Sequence, residues 1–471
     1  MATTHQNGGS STAVMELQTM SPLHLQGKDI GDGSPPNIMG MPMRQSSTEG
    51  HRLSSGSLPS PITATEVKER WNYPRANVPK VAACFYSMFV MGANDAAYGP
   101  IIPYLQEYYH LSYLIVSLLF LSPFVGYTLA AFLNSRLHLS IGQRGVSLIT
   151  CFSHLVAYIV IAVHPPYPVL VVAFALAGFG NGVADAAWNA FVGNLDRANE
   201  LLGFLHGLYG AGAVVSPLVA TAFITKVGLP WYSFYYLMIG LAGLELVSAT
   251  LGFWSSTAKV YREHIAHSAG DSPESGLREA LFHKPGARVT WLCSIFLLGY
   301  VGLEVSLGGW IVEFMIQVRH GGAFESGLTA TGFWLGLTVG RVVLGFVTPR
   351  IGEKLAIMIY LPIAMGLELL FWLVPQFIVS AVAIGLQGFF IGPLFPAAII
   401  AMSKLLPRHL HVGAIGFAAA FGGSGAAVLP FAVGAIAQAK GVQVLQPIIL
   451  ALLAAIFIVW CGLPRIGKKK E

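Results

Sequence analysis

"YGAGAVVSPLVA", residues 209–220, and "GGSGAAVLPFAV", residues 422–433, are two apolar stretches that follow one pattern in the two halves of the chain. Gly212 matches Gly425, and a proline follows each glycine at the same distance. Two further pairs of segments match in the same order: "VGYTLAAFLNSR" (125–136) with "VGRVVLGFVTPR" (339–350), and "GFGNG" (178–182) with "GFFIG" (388–392). Matches in three pairs of segments indicate a duplication of one helical unit, a known plan of membrane transporters.

The composition identifies the class of protein that contains this repeat. Hydrophobic residues make up 54% of the 471 residues and charged residues 10%, against about 25% charged residues in soluble domains. A helix needs about 20 apolar residues to span a bilayer. The sequence predicts twelve such spans: approximately 80–106, 112–134, 144–164, 168–194, 201–225, 231–255, 288–317, 326–348, 355–375, 378–404, 411–438 and 444–463. We therefore predict an all-α polytopic membrane protein whose 12 transmembrane helices form two six-helix bundles.

The polar segments divide the chain into five predicted regions. A Ser-, Gly- and Pro-rich tail, predicted to be disordered and cytosolic, precedes the first span, and one long polar linker separates the sixth span from the seventh. The regions are the tail at 1–78, a bundle at 79–256, the linker at 257–286, a second bundle at 287–464 and a basic tail at 465–471.

The distribution of lysine and arginine predicts the orientation. Only Lys226, Arg319 and Lys440 fall in loops on one side of the predicted membrane, while the other side carries the large majority. Because cytoplasmic loops carry this excess, both termini are expected in the cytoplasm. The chain is expected to be a monomer in the plasma membrane. The net charge of +5 reflects the same bias and predicts no nucleic-acid partner. No phosphate-binding glycine loop is present, which argues against ATP-driven pumping, and no enzyme activity, cofactor or metal is expected.

Ionisable residues inside apolar spans are costly and need a reason. Asp95, Asp185 and Glu304 each lie in the middle of a span close to glycines. Asp95 and Glu304 occupy corresponding spans of the two halves, whereas the counterpart of Asp185 is Phe395. Since burial favours the neutral form of a carboxyl, Asp95 and Asp185 are candidates for binding and releasing protons during transport.

Polar neighbours extend this candidate site. Asn181 and Asn189 lie four residues before and after Asp185 and so share its helix face, where they can bind the carboxyl or a polyol. A polar cluster that only locks helices together is the alternative. His206, in the fifth span, can titrate near neutral pH or simply form a hydrogen bond across the cavity.

Aromatic and further charged residues also lie in or near the predicted spans. Tyr209 and Trp310 are candidates for stacking on a sugar ring. Arg341 is expected near the cytoplasmic gate, paired with an acid or with a helix end. Structural roles are expected for three other acids within spans: Glu245, Glu313 and Glu368.

The segment "GFVTPRIGEK", residues 345–354, resembles the cytoplasmic signature of the major facilitator superfamily. Gly345, Arg350, Gly352 and Lys354 fit that signature. Glycines allow close approach of helices, and the arginine can cap carbonyl groups or pair with an acid at a neighbouring helix end. The resemblance implies two six-helix bundles and a gating role for these residues.

Two other segments are similar to motifs of the fucose permease branch of that superfamily. "GFGNGVADAAWNAFV" has the fourth-helix spacing of an acid and an asparagine at Asp185 and Asn189, and "ANDAAYGPIIPYL" has the first-helix Asn-Asp pair at Asn94 and Asp95. The resemblance implies proton coupling by the two acids at a sugar cavity. His206 stands where the family has a sugar-contacting glutamine. The long polar tail indicates a fungal member.

These observations favour a secondary active transporter that works by alternating access. Proton-coupled symport of a sugar or similar small polar solute is the preferred interpretation. Asn94, Asn189 and His206 would bind the solute, with Glu304 as a further candidate. Two alternatives stay open: proton-driven export of an organic or lipid-like compound, and a non-transporting membrane sensor with the same fold.

Overall fold

The computed structural model describes residues 69–262, 279–283, 285–407 and 410–464. The predicted basic tail, most of the predicted N-terminal tail and much of the linker lie outside these residues. The bundle is formed by the following helices: α1 (Asn77–Ala96), α2 (Tyr98–Tyr109), α3 (Tyr113–Val116), α4 (Leu118–Ala162), α5 (Tyr167–Gly193), α6 (Ala198–Thr225), α7 (Ser233–Phe253), α8 (Gly286–Gln317), α9 (Ala323–Ile351), α10 (Glu353–Leu373), α11 (Phe377–Ile391), α12 (Leu394–Leu405), α13 (His411–Lys440) and α14 (Leu445–Cys461).

Within the described ranges, eleven helical stretches are long and apolar enough to cross a membrane. Two of them lie in the region of α3 and α4, at Tyr113–Asn134 and Arg136–Ala162. Gly142 gives α4 a kink, with φ +68° and ψ −178°, a conformation that glycine adopts without steric cost. The helical, multi-span fold predicted from the sequence is confirmed.

The predicted first span, residues 80–106, is divided at Ala97 into α1 and α2. Pro100 and Pro103 follow the division, and proline provides no backbone N–H for the helical ladder. Asn94 and Asp95 also make this stretch less apolar, so it is not one of the eleven helical stretches described above. The division places these two polar side chains at the C-terminal end of α1.

The matched glycines of the repeat perform the same packing task in both halves. A Cβ atom on Gly212 of α6 would lie 2.1 Å from the carbonyl oxygen of Phe89 in α1, and one on Gly425 of α13 would lie 2.1 Å from that of Leu298 in α8. Glycine permits such close backbone approach between membrane helices. In each half, the fifth span therefore packs tightly against the first.

The N-terminal half (α1–α7) and the C-terminal half (α8–α14) pack together towards one face of the bundle. We call the side where α7 ends and α8 begins the linker face, and the opposite side the far face. Towards the far face, a Cβ on Gly99 would lie 2.2 Å from the oxygen of Gly308, and one on Gly434 would lie 2.5 Å from the Cβ of Ser117. These contacts hold the two halves together near the far face.

Candidate functional site

Asp95 lies at the end of α1 and is held by three neutral side chains. Its Oδ1 accepts hydrogen bonds from Asn94 Nδ2 at 3.0 Å and from Asn181 Nδ2 at 3.1 Å. Its Oδ2 accepts one from the hydroxyl of Tyr209 at 3.0 Å. Asn94 also donates to the hydroxyl of Tyr98 at 2.9 Å and is fully buried. The carboxyl thus has polar partners from α1, α5 and α6 that carry no compensating charge.

Asp185 forms a second group in α5, one turn beyond Asn181. Asn189 Nδ2 donates to Asp185 Oδ1 at 2.7 Å and to its carbonyl oxygen at 2.8 Å. Asn189 Oδ1 in turn lies 3.1 Å from Nε2 of His206, whose side chain is exposed. With the amide in this orientation, His206 Nε2 is the donor. Asn189 therefore connects the carboxylate of Asp185 to the imidazole of His206.

The structure corrects the expectation for Asn181. The sequence placed it on the same face as Asp185, but its amide donates to Asp95 instead. Asn181 is only 1% exposed, because it lies between α5 and α1. It is placed to orient Asp95 and has little surface to offer a solute.

Glu304 and Arg341 form an ion pair between α8 and α9. Arg341 Nη2 lies 2.9 Å and 3.0 Å from the two carboxylate oxygens of Glu304, and it donates to the hydroxyl of Tyr300 at 3.2 Å. Arg341 Nε donates to the carbonyl oxygen of Gly392 at 3.2 Å. The sequence predicted an acid or a helix end as the partner of Arg341, near the cytoplasmic gate; its partners are the acid Glu304 and the carbonyl oxygen of Gly392 at the end of α11, which approaches α9 closely.

The polar groups of the two halves face one another across the bundle. A Cβ on Gly210 of α6 would lie 2.8 Å from Oγ1 of Thr338 in α9. Tyr209 precedes that glycine, and Arg341 lies one turn along α9 from that threonine. The arrangement is a central polar site formed by residues of α1, α5, α6, α8 and α9.

Trp310 does not belong to this central site. Its side chain is fully buried, its Nε1 donates to the carbonyl oxygen of Pro430 at 2.9 Å, and its ring lies 5.9 Å from that of Phe120. The residue packs where the two halves meet on the far-face side. The expectation that it stacks on a sugar is not supported by this placement, whereas Tyr209 lies at the centre.

The signature residues lie together around the turn between α9 and α10. Gly352 has φ +89° and separates the two helices. The ammonium group of Lys354 donates to the carbonyl oxygen of Leu463 at the end of the chain's last span. Arg350 is exposed at the end of α9, and no described side chain lies within 4 Å of a Cβ built on Gly345. Their placement at the linker face agrees with the sequence, and their gating role remains a prediction.

A buried pair in the N-terminal half was not predicted from the sequence. His154 Nδ1 of α4 lies 3.0 Å from Oε2 of Glu245 in α7, and both side chains are fully buried. Ser87 donates to Glu245 Oε1 at 2.5 Å, and Trp188 donates to Ser87 at 2.9 Å. The sequence predicted a structural role for Glu245 and did not single out His154. The cost of burying an acid could have indicated this pair, because it implies a polar partner in another span.

Comparisons with known proteins place this arrangement in a family. The model of the Major Facilitator Superfamily matches residues 84–375 and 306–471. Bypass of stop codon protein 6 of Saccharomyces cerevisiae is 32% identical over 416 residues, which cover 83% of this chain and 84% of that protein. This yeast relative agrees with the fungal origin expected from the sequence.

Two solved structures share the fold at low sequence identity. A D-xylose–proton symporter matches with a TM-score of 0.67 at 14% identity over 84% of this chain and 99% of its own. FucP, the Escherichia coli fucose:proton symporter, matches in its outward conformation with a TM-score of 0.57 at 15% identity, over 81% of this chain and 97% of its own. Family match, relative and fold agree: this chain is a multi-pass membrane transporter of the Major Facilitator Superfamily, not an enzyme.

Proposed function

We propose that this transporter is a proton-coupled symporter of a sugar or a similar small polar solute, working by alternating access. The surroundings of Asp95 support this proposal most directly. Its carboxyl accepts hydrogen bonds from Asn94, Asn181 and Tyr209, none of which carries a positive charge. An ionised carboxylate in such a place is costly, and a proton removes that cost. Asp95 can therefore gain and lose a proton as the central site changes its access to water.

Asp185, Asn189 and His206 form the proposed link between the proton and the solute. The exposed imidazole and the carboxamide offer hydrogen-bond donors and acceptors to a hydroxylated, neutral molecule. Because Asn189 contacts both His206 and the Asp185 carboxyl, a solute that binds the imidazole or the amide changes the surroundings of that carboxyl. In this arrangement Asn94 and Asn181 position Asp95 rather than contact the solute.

The Glu304–Arg341 pair favours a neutral solute over a cationic one. The guanidinium already compensates the charge of Glu304 at 2.9 Å, so the pair presents both donors and acceptors to hydroxyl groups. This weakens the case for an exporter of cationic compounds, which would use a free carboxylate in the C-terminal half. The sugar class also agrees with the two structural neighbours, which are sugar–proton symporters by name.

The proposal includes an orientation. The linker face is placed in the cytoplasm because most lysines and arginines lie in the loops on that side, and the chain is placed in the plasma membrane as a monomer. The two halves, 79–256 and 287–464, would rock against each other around the central site.

A flux assay on the purified full-length chain tests this function. The protein is reconstituted into vesicles that contain a pH-sensitive dye, and members of a panel of hexoses, deoxyhexoses and polyols are added outside. We expect acidification of the interior with at least one solute, and loss of that signal in Asp95→Asn and Asp185→Asn. The matched control is Asp196→Asn, which makes the same chemical change at an exposed residue between α5 and α6.

Two other results would redirect the assignment. Folded protein that moves no proton with any solute of the panel, but whose expression protects cells from a toxic organic compound, would favour the exporter. A chain that moves nothing, and whose cellular output disappears when residues 1–75 are removed, would favour the sensor. A symporter should keep its flux without that segment.

A further inference from the structure

The His154–Glu245 pair is a buried titratable element that the proposed function does not use. The two side chains meet at 3.0 Å between α4 and α7, and both are fully buried. Replacing such a pair by apolar residues of similar volume is often neutral or stabilising, so stability alone does not account for it. The titratable groups around this pair are Cys84, Tyr86 and Asp95 on α1, Tyr127, Cys151 and Tyr158 on α4, and Tyr235 on α7.

The hydrogen-bond directions place one of the histidine protons. Trp188 Nε1 can only donate, so Ser87 accepts from it and turns its own hydroxyl hydrogen towards Glu245. With Glu245 as a carboxylate, its two oxygens accept from Ser87 and from His154 Nδ1. With Nδ1 carrying this hydrogen, the group that changes its protonation is Nε2 on the other side of the ring.

His154 Nε2 faces Asn181. A Cβ built on Gly180 would lie 2.7 Å from that nitrogen, so the imidazole packs on the backbone of α5 beside Asn181 and interacts with its amide. Nε2 and Asn181 Oδ1 are both buried without a hydrogen-bond partner among the described residues. On its other side, Asn181 Nδ2 donates to Asp95 Oδ1 at 3.1 Å. One amide group thus lies between the imidazole and the carboxyl proposed for coupling.

We propose that His154 and Asp95 hold one proton between them, and that the amide of Asn181 rotates by half a turn according to which of them carries it. This inference rests on the proposed function in taking Asp95 as a proton-binding carboxyl. When the proton is on Nε2, the imidazolium donates to Asn181 Oδ1 and Asn181 Nδ2 donates to the Asp95 carboxylate. When it is on Asp95, the carboxyl donates to Oδ1 and Nδ2 donates to the bare Nε2.

The two states contain the same atoms and the same charge. Moving the proton breaks the O–H bond of Asp95 and forms an N–H bond with the lone pair of Nε2, while Glu245 stays ionised. The group of Asp95, His154 and Glu245 has a net charge of −1 in both states, so the exchange adds no further net charge to a low-dielectric region. An amide suits the middle position because it carries a donor and an acceptor that exchange places on rotation.

Infrared spectroscopy of the full-length protein in lipid vesicles, without solute, tests this inference. The carbonyl band of the protonated Asp95 carboxyl is identified by its loss in Asp95→Asn and followed over a pH series. We expect His154→Gln and Asn181→Leu each to move the midpoint of that band by about one pH unit, a tenfold change in proton affinity. His138→Gln, which replaces another buried histidine of α4, should leave the midpoint unchanged.

Asn181→Leu keeps both titratable partners and removes the amide between them together with its hydrogen bond to Asp95, so an unchanged midpoint in this variant overturns the inference even where His154→Gln folds poorly. Unchanged midpoints in folded His154→Gln and Asn181→Leu would overturn the inference, as would a wild-type protein with no band assignable to Asp95. Since no solute is present, a negative flux assay in vesicles counts against symport alone, while a shifted midpoint still supports the shared proton.

Discussion

At the scale of single residues, the Glu304–Arg341 ion pair should contribute measurably to stability. Glu304→Gln removes the carboxylate that accepts two hydrogen bonds from the Arg341 guanidinium at 2.9 Å and 3.0 Å. The arginine then keeps its charge in a mostly buried place with weaker partners. We expect the free energy of unfolding to fall by about 2 kcal/mol, the range for a hydrogen bond to a charged group. Thermal unfolding in detergent measures the change.

A double variant separates the loss of the pair from the cost of the charge left behind. Glu304→Gln combined with Arg341→Gln should be more stable than Glu304→Gln alone, because the uncompensated cation is gone. Glu200→Gln is the matched control, since Glu200 and its partner Arg197 at 3.8 Å are 65% and 72% exposed and an exposed pair contributes less than about 1 kcal/mol. A double variant no more stable than Glu304→Gln would contradict this account.

The side-chain contacts that could be predicted from the sequence are those between two residues of the same helix. Asp185 and Asn189 are four residues apart in α5, and that spacing brings their side chains within reach of each other, although Asn181, at the same spacing on the other side, bonds to Asp95 instead. The His154–Glu245 contact depends on the rotation of α4 against α7, which no local spacing contains. For the same reason, the sequence predicted an acid or a helix end as the partner of Arg341 but could not single out Glu304.

At the scale of elements, the contact between α1 and α6 depends on Gly212. Gly212→Ala places a methyl group 2.1 Å from the carbonyl oxygen of Phe89 and 2.8 Å from the backbone nitrogen of Ala93, so the two helices must separate. We expect a loss of about 1–3 kcal/mol in the free energy of unfolding, typical of overpacking. Transport should fall as well, because the Tyr209–Asp95 hydrogen bond crosses the same contact.

Gly203→Ala is the matched control in the same helix. Apart from the adjoining residues of that helix, no described atom lies within 4 Å of its Cβ position. Thermal unfolding and solute flux of the two variants are compared under one condition. Equal stability of Gly212→Ala and the wild type would show that α1 and α6 can shift without loss, and would remove the proposed reason for a glycine there.

The elements themselves were largely predictable because hydropathy and length determine which segments enter a membrane. The repeat also predicted which helices correspond, and Gly212 and Gly425 have the same packing role in the two halves. The division of the first span at Ala97 was not predicted, although Pro100 and Pro103 were visible. Proline is tolerated inside membrane helices, so its presence alone does not determine whether the helix breaks.

At the scale of the whole molecule, the structure shows a conformation with the halves joined on the far-face side. Tyr113 donates to Glu313 across the halves at 3.0 Å, and Gly99 approaches Gly308 closely. A cavity of about 620 Å³ remains on this side, lined by residues that include Glu107, Glu313 and Gln438. The sequence could not predict this state, since alternating-access conformations of one chain differ by only a few kcal/mol.

Gly99→Ala should open the far face. The added methyl group would lie 2.2 Å from the carbonyl oxygen of Gly308, so the closed contact should cost about 1–3 kcal/mol. That cost shifts the population towards far-face-open states about 5- to 150-fold.

Spin labels at Val227→Cys and Lys440→Cys, on the far face of the two halves, report the separation of the halves by pulsed electron resonance. The exposed Cys461 is replaced by serine. Gly332→Ala is the control, because no described atom beyond its own local helix backbone lies within 4 Å of its Cβ position. A longer distance in Gly99→Ala alone would identify the glycine contact as part of the far-face gate. The same distance distribution in both variants would mean that other contacts, such as Tyr113–Glu313, determine closure.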